Sequence, residues 1–162
     1  MSESEKDTFL QYGHSFQTKI ITLLITDQDY MSMIFDIMDK KYFDSDAAQW
    51  IVKDVMEYFH QYKTCPTWEA MVIRINENVK MDSLKASIGI MMKDAHGYTN
   101  HTDLPQVKDL SLEFCKNQEL KRALMESVEH LQKGNYEGIK SRIDKAMKAG
   151  MKRDLGHIWK SG

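Results

Sequence analysis

From Phe9 onward, apolar residues recur at Tyr12, Phe16, Ile20, Leu23 and Leu24, in steps of three and four that turn one stripe of a helix inward. Asp27 is placed to cap a second helix, with Tyr30, Met31, Ile34, Phe35 and Met38 as its inner side. A third, starting near Ser45 or Asp46, spreads Trp50, Ile51, Val55, Tyr58, Phe59 and Tyr62 over a broad arc, which predicts a central, largely buried helix. Pro66 disfavours helical geometry at Cys65 and suits the first turn of a new helix carrying Trp68, Met71, Val72 and Ile75. Leu84, Ile88 and Met91 predict another from Met81 to about Asp94, before Gly97 and the polar run YTNHTD mark the longest loop.

Beyond Pro105, the spacing of Val107, Leu110, Phe114, Leu124, Val128 and Leu131 predicts one long helix. Gly134 suits a left-handed C-terminal position, Asn135 a cap, and Tyr136, Ile139, Ile143 and Met147 restart the stripe, so the two segments form an αα-hairpin. Gly150 and Gly156 read as breaks. The expected architecture is all-α: a compact multi-helix domain over residues 1–97, a loop over 98–105, a hairpin over 106–149 and the start of a linker over 150–162.

With 162 residues and 42% hydrophobic content the chain can bury a real core, and only 2 Pro and 8 Gly interrupt its helices. Its charge is split: residues 1–115 carry 11 Lys/Arg against 18 Asp/Glu, and residues 116–162 carry 11 against 6. A basic excess of that size suits a solvated helix face better than a nucleic-acid surface, and neither Lys40-Lys41 nor KRDLGHIWK brings aromatic interleaving. Cys65 and Cys115 form no C-x-x-C pair, the start MSESEKDTF lacks the basic-then-apolar order of a secretory leader, and no apolar run approaches a membrane span. The expected setting is a reducing cytoplasm, that of a bacterial host if the gene belongs to a phage.

Chemistry is sparse. No G-x-x-x-x-G-K-[ST] or G-x-G-x-x-G occurs, so neither a nucleotide cofactor nor a catalytic constellation is expected in this chain. His96 and His101 share no helical face and no cysteine pair joins them. The stretch YFDSDAAQWI, with Asp36 and Asp39 upstream, raises a cation site at Asp44 and Asp46. It lacks the strand and additional carboxylates of a D-x-D diphosphate site and the Gly and Glu of a calcium loop. Ser45 or Asp46 as a helix cap, with Asp46 and Gln49 in a capping-box-like pair, accounts for the same residues. No metal is expected.

The segment LLITDQDYMSMIFDIMDKKYFDSDAAQWIVKDVMEYFHQYKTCPTWEAM resembles the N-terminal domain of hexameric replicative DNA helicases of the DnaB type, with the nearest likeness to those of T-even-like bacteriophages. A leucine-rich first helix, Asp27 and Tyr30 opening the second, Tyr42 and Phe43 before a long helix, then Tyr62 and Pro66, follow that family's order. CKNQELKRALMESVEHLQKGNYEGI resembles its helical hairpin, and LGHIW the segment entering the motor domain in phage members. The resemblance implies a domain without catalysis of its own, which pairs subunits in the hexamer and receives primase or a helicase loader. It touches DNA only through the full ring, and ATP and magnesium belong to a motor domain expected beyond Gly162. It implies a hairpin contact through Leu120, Leu124, Val128, Leu131, Ile139, Ile143 and Met147, for each of which plain packing between the arms is the alternative. It also implies that Leu155, Ile158 and Trp159 anchor a linker on a neighbouring motor. A stand-alone helical adaptor, such as a loader or a repeat-like scaffold, is the other reading. GNYEGI resembles the turn of tetratricopeptide repeats, although a single unit falls short of the roughly three such folds need.

Overall fold

The structure, a computed structural model, describes the backbone of residues 7–161 and the side chains of residues 7–149. The described residues form seven α-helices and no strand: α1 (His14–Thr26), α2 (Gln28–Ile34), α3 (Asp46–Tyr62), α4 (Trp68–Asn78), α5 (Asp82–Gly97), α6 (Leu104–Gln132) and α7 (Tyr136–Ser161). Two short 3-10 turns, Phe9–Tyr12 and Lys40–Tyr42, precede α1 and α3. The chain divides into two compact units, one through Asp109 and one from Leu110. The division falls inside α6, whose start is tied to the first unit: Lys108 pairs with Asp27 at 3.0 Å, and Asp103, just before the helix, with Lys19 at 2.7 Å.

In the first unit α1 is the central helix, packed against α2, α3, α5 and the Phe9–Tyr12 turn. Every residue from Phe16 to Ile25 is buried, including Gln17, Thr18, Lys19 and Thr22. Buried polar groups need partners. Gln17 Oε1 accepts from the Asp44 N–H at 3.0 Å, Thr22 Oγ1 donates to the Ala95 carbonyl at 2.6 Å, and the Lys19 ammonium, held by Asp103, also lies 5.0 Å from the Tyr98 ring centre. The position predicted for α3 thus belongs to α1. α3 buries one face through Ala47, Ala48, Ile51, Val52 and Val55, whereas Trp50, Tyr58 and Phe59 are half-buried and Tyr62 is exposed.

Local chemistry sets the ends. Gly13, at φ 98°, turns the chain between the Phe9 turn and α1, so the predicted stripe from Phe9 to Leu24 crosses two elements. Asp27 caps α2 by accepting from the Tyr30 N–H at 2.9 Å. Ser45 caps α3 by accepting from the Ala48 N–H at 3.1 Å. The expected Asp46–Gln49 pair does not form: the Gln49 amide donates to the Phe43 carbonyl at 2.9 Å, tying the helix to the turn before it. Pro66 lies one residue before the cap of α4, Thr67, and not in its first turn. Gln28 fastens the intervening bend, its Oε1 accepting from Thr64 and from the Cys65 N–H.

In the second unit α6 and α7 form the hairpin. Gly134, at φ 71°, reverses the chain, and Asn135 Oδ1 caps α7 at the Gly138 N–H, 2.9 Å away. A Cβ at Gly138 would come within 2.9 Å of His130 Nδ1 and 2.7 Å of Asn135 Nδ2, both at side-chain ends that would have to move aside. α7 runs unbroken through Gly150 and Gly156 to Ser161. A glycine inside a helix lowers its stability by about 1 kcal/mol relative to alanine but does not by itself end it. The linker positions Leu155, Ile158 and Trp159 fall on this helical backbone, and their side chains lie outside the described residues.

Candidate functional site

The hairpin carries a run of exposed large apolar residues. Its arms are held by Arg142 of α7, which reaches Glu119 Oε1 at 2.6 Å and also bonds Glu126, both on α6. Glu119 and Arg142 are largely withdrawn from water, and these bonds push the guanidinium above its already high ordinary value, against the effect of burial. The register fixed by Glu126–Arg142 and by the approach of His130 to Gly138 places Ala123 opposite Ala146, and both alanines are buried. Ala123 and Ala146 therefore sit in the seam beside the Glu119–Arg142 pair.

The large apolar residues of the hairpin lie off that seam. Leu120, Leu124, Val128 and Leu131 on α6, and Tyr136, Ile143 and Met147 on α7, are between 38% and 68% exposed, while Ile139 is half-buried. Most of these positions follow a seam residue by one, about 100° further round the helix. Because the arms run antiparallel, that turn carries both stripes to the same face. Plain arm-to-arm packing does not account for Leu124, Val128, Leu131 or Met147, each more than half exposed. Met125, 66% exposed, widens the apolar surface and was not singled out from spacing. Charged residues on α7 are of mixed sign, with Lys140, Lys145 and Lys148 among Glu137 and Asp144.

The acidic cluster disperses. Asp39 Oδ1 accepts from the Lys41 N–H and Asp44 lies 3.8 Å from His14 Nδ1, while Asp46 occupies the first turn of α3. Among the described residues no group of three or more His, Cys, Asp or Glu is arranged to hold a metal ion. His96 packs edge-on to Trp68, and His101 bonds Asp103, so the two histidines serve separate contacts. Asp103 is held below the usual carboxylate range, chiefly by its hydrogen bond from Lys19, with His101 adding to it.

Cys115 is fully buried and Cys65 half-buried, and no disulfide joins them. Burial, with the negative charge of Asp27, pushes the Cys65 thiol from 9.0 up to about 11. The thiolate is the reactive form. Cys65 is therefore expected to alkylate with iodoacetamide at pH 8 about a hundredfold more slowly than an unperturbed cysteine. Equal rates against a cysteine-containing peptide would show that Asp27 and burial do not act on it.

No helix among the described residues is long and apolar enough to cross a membrane. No protein-family model and no curated protein matches the chain.

Proposed function

We propose that this chain is the subunit-pairing and docking domain of a replicative DNA helicase of the DnaB type. Its own role is assembly: hairpins pair subunits in the ring, and the helical first unit offers a surface to primase or a helicase loader. The observation that supports this reading is the hairpin face, on which large apolar side chains stand exposed while alanines fill the seam. Contiguous exposed apolar surface on a folded chain marks an interaction site, and two such faces complement each other in an isologous contact. Leu155, Ile158 and Trp159 stay in the proposal as linker anchors.

Sedimentation over a wide concentration range tests the pairing. The chain is expected to associate reversibly. Leu124→Asp with Ile143→Asp is expected to weaken that association by about thirtyfold or more, as for central anchors of an interface, with helical content unchanged. A strict monomer at every concentration overturns the pairing. The helicase assignment has its own test in the parent gene, where a P-loop motif is expected within roughly a hundred codons after residue 162. Its absence there overturns that assignment and leaves the stand-alone adaptor.

A further inference from the structure

A second apolar surface lies in the first unit, between α4 and α5, and owes nothing to the hairpin. It is a groove of about 380 Å³ with Trp68, Val72, Ile75 and Met92 as its apolar lining. Val72 is 54% exposed even though it sits in the groove. Lys85 and Lys93 stand on the α5 side, neither paired with a carboxylate among the described residues, and no acidic residue lines the groove. A larger groove between the Phe35–Lys40 segment and α3, about 760 Å³, carries Asp39 and Glu57 beside Lys40 and Lys53, so its charge selects no partner.

Gly89 supplies an independent observation. It lies inside α5, where glycine weakens a helix relative to alanine. A Cβ at this position would meet nothing within 4 Å, so no packing within the chain requires the missing side chain. What the glycine does is keep the α5 wall of the groove low, one turn from each lysine.

We propose that the α4–α5 groove binds an acidic amphipathic helix of a partner protein, its apolar residues on Trp68, Val72 and Met92 and its carboxylates on Lys85 and Lys93. Helix-in-groove recognition places anchors at i, i+3, i+4 and i+7, and opposite charge at the rim fixes orientation. This surface is separate from the hairpin face, so it stands whether or not the hairpins pair.

The probe is a pair of labelled helical peptides with leucines at i, i+4 and i+7, one flanked by glutamates and one by lysines. Both are titrated by fluorescence anisotropy against the full chain and against its Leu124→Asp/Ile143→Asp variant, which separates this site from pairing. The acidic peptide is expected to bind both proteins saturably and to shift the emission of Trp68, a signal lost in Trp68→Phe. Lys85→Glu with Lys93→Glu is expected to weaken binding about tenfold, the combined effect of two exposed ion pairs. Gly89→Leu is expected to abolish binding without lowering the thermal midpoint. Failure of the acidic peptide to bind, equal binding of the basic peptide, or no loss in the lysine and glycine variants overturns the proposal. So does binding of a single-stranded oligonucleotide that depends on the same lysines while the peptide stays free.

Discussion

Phe43→Ala is expected to lower the unfolding free energy by about 3–5 kcal/mol, the range for emptying a buried aromatic site. Phe43 is fully enclosed, and its ring meets Phe9 edge-on at 5.1 Å between centres. Phe9 in turn contacts Phe16 and Tyr42, so four rings join the first 3-10 turn, the start of α1 and the turn before α3. Collapse into the vacated space would require these three elements to move together. Urea titration followed by circular dichroism measures the loss, with Tyr62→Ala, at an exposed position, as the reference. A loss below about 1 kcal/mol would show that the ring does not sit in a close-packed site.

Arg74→Ala is expected to be the most damaging loss of a polar group in the first unit, at about 2–4 kcal/mol. Arg74 forks onto Asp54, Nε to Oδ2 at 2.7 Å and Nη2 to Oδ1 at 3.0 Å, and also lies 5.4 Å from the Tyr58 ring centre. The Asp54 side chain is only 7% exposed, so removing the guanidinium strands a carboxylate with little water to replace it. Arg74 itself is 22% exposed, which lets some solvent in and keeps the figure below that of a fully enclosed pair. Replacing both partners, with Asp54→Leu and Arg74→Met, is expected to recover most of the loss. A double variant as unstable as Arg74→Ala would count against the stranded charge as the cause.

The sequence carried most of the caps, because each is a local event: Asp27, Asn135 and Ser45, the last as one of two candidates with Asp46, act within three residues of themselves, whereas Thr67, the cap of α4, was hidden behind Pro66. It did not carry the identity of the central helix. Periodicity marks Phe16, Ile20, Leu23 and Leu24 as one buried stripe of α1 and leaves Gln17, Lys19 and Thr22 for solvent. Their partners are the Asp44 N–H, Asp103 and the Ala95 carbonyl, 27, 84 and 73 positions away. Those separations exist only once the chain has folded, so polar residues that complete the core looked like a polar face. The aromatic wealth of α3 misled in the opposite direction, since Tyr62 is exposed. Hairpin residues such as Leu124 and Ile143 were legible as apolar positions at helical spacing. Which side of the seam they occupy depended on Ala123, Ala146 and the Glu119–Arg142 pair, none of which stands out in a hydrophobic pattern.

That seam separates the packing of the two arms from the exposed apolar face beside it. Ala123, Ala146 and Arg142 set how the arms lie against each other, while Leu124, Val128 and Met147 contribute little to that geometry. Substitutions on the outer face can therefore accumulate without unfolding the hairpin. If the outer face pairs subunits as proposed, that pairing can change or be lost while the architecture of the hairpin is inherited unchanged.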